Sequence, residues 1–369
     1  MPMNAVQVSL GTRSYEVVCE YGVLDTLSEQ LQKLGLSGKA ALITDATVME
    51  LYGERVESLV KAAGVEVSTH VVEAGEASKS MKNVEQLCRE MTQDGHGRSS
   101  FVVALGGGVV GDLAGFVASV FYRGVPFVQV PTTIVSLVDS SVGGKTGVNI
   151  SEGKNLVGAF HQPKLVLADP ATLKTLAGRE YREGYAEVIK HAAIRDAAMF
   201  GDLEALDPMD QAPAADLIAR NIAIKARVVE EDEQELSGTR ALLNFGHTIG
   251  HGIEAAVPYG ELLHGEAISL GMRAAVYLST QCSGLSKSEG ERIISLLEKF
   301  QLPIVLPEHI STEVVLEKLQ RDKKFVGDRV KFVLLDKLGS AFVSDDVSQD
   351  DILDAIEFLR TTPTASIQG

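Results

Sequence analysis

The apolar positions in the first half of the chain fall in short runs separated by helical patterns. Lys39–Thr44 (K-A-A-L-I-T) reads as a buried strand, with a helix over Thr47–Ala63 after it. Val65–Glu73 is a second strand, and Met81–Asp94 sets Val84, Leu87, Cys88 and Met91 on one helical face. Ser100–Leu105 and Phe127–Val130 supply a third and a fourth strand. Strands that alternate with helices predict a parallel sheet covered on both faces. Ala5–Leu10 and Ser14–Cys19, joined by G-T-R, read as a hairpin at a sheet edge. Beyond Asp169-Pro170 the strand signal fades. Thr172 to Ser283 is helical, punctuated at Pro208, Pro213 and Pro258-Tyr259-Gly260, and Gly284 to Leu359 adds short helices and one strand, Val330–Leu335. The expected organisation is an α/β domain with a mainly parallel sheet over residues 1–178 and an all-α domain over residues 179–369.

One stretch departs from this pattern. Val138–Lys154 (V-D-S-S-V-G-G-K-T-G-V-N-I-S-E-G-K) places Asp139, Lys145, Lys154 and several hydroxyls among glycines, straight after an apolar strand. Charged groups beside buried strands are costly unless they face a ligand, so the segment reads as the floor of an active site.

Two further segments carry chemistry. Phe101–Leu105 runs into G-G-G-V-V-G-D, so that Gly106, Gly108 and Gly111 fit G-x-G-x-x-G between a strand and a helix. Such a turn lets a pyrophosphate approach backbone N–H groups at a helix N-terminus. The acid that usually follows about 20 residues on is absent. Its place is taken by V-P-T-T, and Asp45, upstream at the end of I-T-D, is the better ribose partner. Thr132 and Thr133 can offer hydroxyls to the same ligand. The second group comprises E-G-Y-A-E-V-I-K-H (183–191), N-F-G-H-T-I-G-H (244–251) and L-L-H-G-E-A (262–267), with His247 and His251 four apart on one helix face. One carboxylate, two histidines and an open position make a catalytic zinc site; spacing alone leaves open which carboxylate and which histidines.

Composition narrows the ligand. A net charge of −16 disfavours nucleic acid and anionic membranes as partners. An anionic small molecule would need a local basic pocket. Arg123, Lys145, Lys154, Lys190, Lys225, Arg240 and Lys324 stand in or beside the motifs. Lys225 and Lys324, taken singly, read as solvated surface charges; several such cations converging would clamp a phosphate and a carboxylate. Three cysteines without a motif suit a reducing cytoplasm. The N-terminus lacks a signal-peptide pattern, and no run of about 18 apolar residues could span a bilayer.

Taken jointly, G-G-G-V-V-G-D, F-Y-R-G, P-T-T followed by V-D-S-S-V-G-G-K-T-G-V-N, E-G-Y-A-E-V-I-K-H, L-N-F-G-H-T-x-G-H and L-L-H-G-E-A resemble the 3-dehydroquinate synthase family, in family order from Asp45 to Lys324. Ile134-Val135-Ser136-Leu137 and Ile249 are mild departures from its pattern. The resemblance implies a Rossmann-like N-terminal domain, a helical C-terminal domain and a site in the cleft between them. It also implies NAD⁺, a divalent zinc or cobalt ion, a homodimer, and 3-deoxy-D-arabino-heptulosonate 7-phosphate as the anionic sugar-acid substrate. By the same resemblance, Glu187, His247 and His264 match metal ligands, and His251 matches a proton-handling residue. Asp45, Glu76, Lys79, Gly107, Gly108, Val109, Val110, Gly111, Asp112, Thr132, Thr133, Asp139, Lys145, Lys154, Thr172, Leu173, Lys174 and Thr175 match NAD contacts. Lys145, Asn155, Lys190, Arg240, Asn244 and Lys324 match substrate contacts, and Arg123 matches a phosphate contact made across the dimer.

Three other readings compete. A polyol dehydrogenase of related architecture would not need the surplus of cations. A cyclase for another sugar phosphate would lack a carboxylate for Arg240 and the Lys323-Lys324 pair. A non-catalytic dinucleotide-binding regulator would leave the candidate metal ligands without a task.

Overall fold

In the computed structural model, which describes residues 4–208, 213–322 and 330–362, the contacts divide the chain into two units. The first joins Met1–Leu176 to Gln211–Gln234, and the second joins Ala177–Asp210 to Glu235–Gly369.

The first unit is built on a seven-stranded sheet. Its strands are β1 (Ala5–Val8), β2 (Tyr15–Cys19), β3 (Ala40–Asp45), β4 (Val67–Val72), β5 (Phe101–Gly106), β6 (Phe127–Pro131) and β9 (Leu165–Ala168), in the order β1-β2-β9-β6-β5-β3-β4. β1 runs antiparallel to β2, and every other pairing is parallel. β5, β6 and β9 are buried along their whole length and so lack an alternating polar face, with Gln129 the one charged or amide side chain among them; β9 is a strand beyond those read from the sequence. The hairpin read at the edge is present, with β1 outermost and β2 one place inside.

Between β6 and β9 lies a feature the apolar pattern does not reveal. The polar stretch forms a separate antiparallel hairpin, β7 (Lys145–Ile150) and β8 (Gly153–Phe160). Gly147 faces Gly158 across it, and polar residues occupy much of the rest, so no two-residue apolar period marks these strands. The helix Ala215–Glu231 also belongs to this unit, although the sequence division at 178/179 puts it in the second domain. It lies against the β1–β2 edge, where Ser9 N–H donates to Glu230 Oε1 at 2.5 Å and Cys19 Sγ lies 3.4 Å from Ala215 O.

The second unit is mainly helical around a core that includes Ile249, Ile253, Leu270, Ala274 and Leu278. Phe332, Leu334, Ile352 and Ile356 close that core. It is not wholly helical. β10 (Phe332–Lys337) pairs with β11 (Ser340–Ser344), a short partner whose S-A-F-V-S gives little apolar signal. The helices His247–Ala256 and His264–Cys282 touch backbone to backbone. A Cβ on Gly271 would stand 1.9 Å from Gly246 O, so only glycine lets the two helices approach this closely. Among the described residues, no helix is long and apolar enough to cross a membrane.

One buried cation ties the C-terminal helix to this core. Arg273 is fully buried. It donates to Ile304 O at 2.5 Å, Leu359 O at 3.2 Å and Thr361 O at 2.8 Å, and lies 4.7 Å from the Phe358 ring centroid. Arg273→Met keeps the apolar stem but takes a donor from three carbonyls, of which Leu359 O retains the Leu306 N–H at 3.0 Å. A stability loss of about 2–4 kcal/mol is expected, read as a lower urea midpoint by circular dichroism; an unchanged midpoint would contradict it.

Candidate active site

In the second unit, Glu187 sits in the middle of the helix Gly178–Arg195, where Tyr181, Tyr185, Val188, Ile189 and Ala192 are buried around it. A carboxylate there loses its water and must find charge partners. Lys190, one turn on and also buried, pairs with Glu187 Oε2. On the other side, His247 Nε2 and His264 Nε2 each lie 3.4 Å from Glu187 Oε1. Among the described residues, neither Glu187 oxygen finds a hydrogen-bond donor of good geometry.

The second nitrogen of each imidazole settles what this cluster lacks. His247 Nδ1 lies 3.2 Å from Phe245 O, which can only accept, so Nδ1 carries the hydrogen and Nε2 the lone pair. His264 Nδ1 lies 3.1 Å from Glu254 Oε2, which imposes the same assignment. With both imidazoles neutral, two lone pairs and a carboxylate oxygen face one another, and a metal ion or a proton fills such a gap favourably. A buried carboxylate and two imidazoles, each imidazole held from behind by an acceptor, form the donor set of a divalent metal site. His251 completes the histidine group: the ligand atoms of His247, His251 and His264 lie within 4.8 Å of one another. The ring centroids of His247 and His251 are 5.1 Å apart.

Electrostatics follow from the same contacts. Burial works to raise Glu187, but Lys190 and His247 hold its carboxyl well below the usual range. Burial, aided by Lys190, pushes His247 down to about 3. His264 behaves oppositely: burial opposes its charge, but Glu187 and Glu254 lift it to about 10, so His264 takes up a proton when no metal competes. Glu183, one turn before Glu187, is lifted by burial to about 7, with the Gly265 N–H working against the rise. Nearby on the chain, Arg240 is buried with its Nε 3.7 Å from Glu235 Oε1, and Asn244 is half-buried at the end of the turn Thr239–Asn244. Lys324 lies outside the described residues.

In the first unit, Gly107 precedes the helix Gly108–Val120, whose first turn holds Val109, Val110, Gly111 and Asp112. Lys79 is buried and pairs with Asp112 at 2.5 Å. Glu76 accepts from Asn149 Nδ2 at 2.7 Å, and Asn149 Oδ1 in turn accepts the Asn155 N–H at 2.8 Å. One chain of polar contacts thus runs from the turn at Glu76 to the β7–β8 hairpin. Thr132 is buried, and its N–H donates to Gly106 O at 3.0 Å. Thr133 exchanges contacts with Ser136 at 2.9 Å, and Asp45 caps its own helix by accepting the Val48 N–H at 3.0 Å. Tyr52 OH meets Thr172 O at 3.1 Å and Thr175 Oγ1 at 2.6 Å, which fixes the turn carrying Leu173 and Lys174. Lys145, Lys154 and Arg123 are exposed. Arg123 has φ 68° beside Tyr122 at φ 48°, a left-handed pair that turns F-Y-R-G out of its helix.

Lys225 departs from its reading as a solvated charge. It is buried, and its Nζ lies 2.8 Å from Asp139 Oδ1. The apolar stripe of its helix could have shown this, since Ile218, Ile222 and Val229 lie at helical spacing from it and are buried with it. Glu254 and Glu183 are further site residues that sequence reasoning passed over. Glu254 stands seven residues after His247 and Glu183 four before Glu187, spacings that repeat one helix face.

A family model described as 3-dehydroquinate synthase N-terminal matches residues 69–183, and one described as 3-dehydroquinate synthase C-terminal matches residues 184–325. A 3-dehydroquinate synthase from Picosynechococcus sp. is 42% identical over 356 residues, covering 95% of this chain and 97% of that protein. One from Desulforamulus reducens is 43% identical, covering 95% and 99% of the two chains. Among solved structures, a 2-epi-5-epi-valiolone synthase from Streptomyces hygroscopicus with NAD⁺ and Zn²⁺ bound is 31% identical at a TM-score of 0.84, covering 95% of this chain and 98% of that one. With the two family models together covering most of the sequence, the chain belongs to the 3-dehydroquinate synthase family.

Proposed function

We infer that the chain is a 3-dehydroquinate synthase that converts 3-deoxy-D-arabino-heptulosonate 7-phosphate to 3-dehydroquinate and phosphate. Near-full-length identity to enzymes of that name supports the activity, and the acceptor cluster of Glu187, His247 and His264 carries the chemistry. When bound, NAD⁺ accepts and returns one hydride, and a divalent zinc or cobalt ion polarises the alcohol being oxidised. Oxidation at one carbon acidifies its neighbour, phosphate leaves by β-elimination, the hydride returns, and the opened ring closes by an aldol step. The redox balance is zero.

The chain's own groups do the rest. Glu187, His247 and His264 hold the cation, with Glu254 and Phe245 O aiming the imidazoles. Lys190 offsets the Glu187 charge and offers a donor to substrate, and His251, beside His247 and His264, handles a proton. Lys145, Asn155, Arg240, Asn244 and Lys324 hold the anionic groups of the sugar acid, and Arg123 contributes to phosphate binding in a homodimer. Positioned cations of this kind act by orientation and by stabilising the leaving phosphate. The Gly107–Gly111 backbone, Asp112 and Lys79 cradle the dinucleotide phosphates. Asp45, Glu76, Thr132, Thr133, Asp139, Lys154 and Thr172–Thr175 complete that site. A cytoplasmic location accords with three free cysteines.

Two outcomes are expected. With substrate, catalytic NAD⁺ and Zn²⁺ or Co²⁺, phosphate and dehydroquinate should form without the absorbance of reduced nicotinamide building up. Lys145→Ala should lower kcat by about 100-fold or more with the fold intact by circular dichroism. NADH accumulation in step with turnover would favour a dehydrogenase instead. Metal binding should also release about one proton. His264 is protonated below about 10 in the metal-free protein, and the metal needs that lone pair, so affinity should rise about tenfold per pH unit between neutrality and that value. Calorimetry in buffers of different ionisation heat measures the proton count; a count of zero would contradict the assignment.

A further inference from the structure

The helix Gly178–Arg195 meets the first turn of the helix His264–Cys282 at three successive points. Arg179, Glu183 and Glu187 are spaced four apart and so lie on one face. Each reaches one residue further back on the partner. Arg179 forks onto Glu266, Nε to Oε1 at 2.8 Å and Nη2 to Oε2 at 2.6 Å. Glu183 Oε2 accepts the Gly265 N–H at 2.7 Å. Glu187 Oε1 faces His264 Nε2 at 3.4 Å.

The middle rung leaves no slack. A Cβ on Gly265 would stand 1.9 Å from Glu183 O and 2.6 Å from Glu183 Oε2. The two segments are therefore in backbone contact one residue from the candidate metal ligand. Arg179 adds a second anchor, donating to Glu261 O at 2.7 Å in the loop that leads into the helix. Glu266 also accepts the Leu263 N–H at 2.8 Å, so the Arg179 fork holds the helix start together with its cap.

We propose that Glu183 is a positioning residue for the metal centre: by accepting the Gly265 N–H it sets the distance between Glu187 and His264, two ligands carried on different helices, without touching the ion. The inference rests on the reading of Glu187 and His264 as ligands. It concerns hydrogen-bond geometry, so an uncharged acceptor of the same length should serve. Positioning partners of this type typically contribute 10–100-fold to metal affinity.

The test is Co²⁺ titration of the full chain, reading affinity and the visible d–d bands, with folding checked by thermal melts. Glu183→Ala should weaken binding by about 10–100-fold and alter the band intensities, whereas Glu183→Gln should stay within about threefold with unaltered bands. Gly265→Ala should weaken binding at least as much as Glu183→Ala. Wild-type affinity and bands in Glu183→Ala would overturn the proposal, and so would a Glu183→Gln defect as large as that of Glu183→Ala. If the unmutated chain shows no Co²⁺ binding that Glu187→Ala abolishes, the metal-site reading itself fails, and the proposal falls with it.

Discussion

The second unit depends on a carboxylate that has been taken out of water and aimed at two imidazole lone pairs. Burying Glu187 costs several kcal/mol unless positive charge compensates it, and Lys190 supplies only one side of that compensation. The other side is an arrangement of acceptors. Phe245 O and Glu254 hold the Nδ1 hydrogens, and the Nε2 lone pairs are thereby turned towards Glu187. Without a cation the cluster protonates His264 instead. On the proposed reading, affinity for a metal rests on the hydrogen bonds behind Glu187, His247 and His264 as much as on those residues themselves.

The remainder of that unit holds this arrangement in place. Glycines at 265 and 271 permit backbone contact between helices that carry separate candidate ligands. A hydrophobic core and the buried Arg273 brace the long helix that begins at His264. In the first unit the parallel sheet delivers the glycine turn after β5 to a helix N-terminus, where N–H groups and dipole favour an anion.

Much of this was legible in the sequence. Buried parallel strands announce themselves as apolar runs, and β3, β5 and β6 lie where those runs stand. The three histidines declared themselves by clustering with glycine, and the structure brings His247, His251 and His264 together. What escaped notice did so for identifiable reasons. The β7–β8 hairpin is built on glycine and polar residues and has no apolar period. The segment Gln211–Gln234 returns to the first unit through contacts distant in sequence, which no local pattern records. The Lys225 charge reads as surface when taken without the apolar stripe around it. The partner strand β11 is too short and polar to stand out.

The chemistry proposed for the site requires a metal among Glu187, His247 Nε2 and His264 Nε2. The most direct measurement is a zinc-edge anomalous difference map from crystals of the chain grown with Zn²⁺. One peak is predicted at roughly 2.0–2.2 Å from a Glu187 oxygen, His247 Nε2 and His264 Nε2. A zinc peak held by other residues, or none at these three at saturating metal, would contradict it.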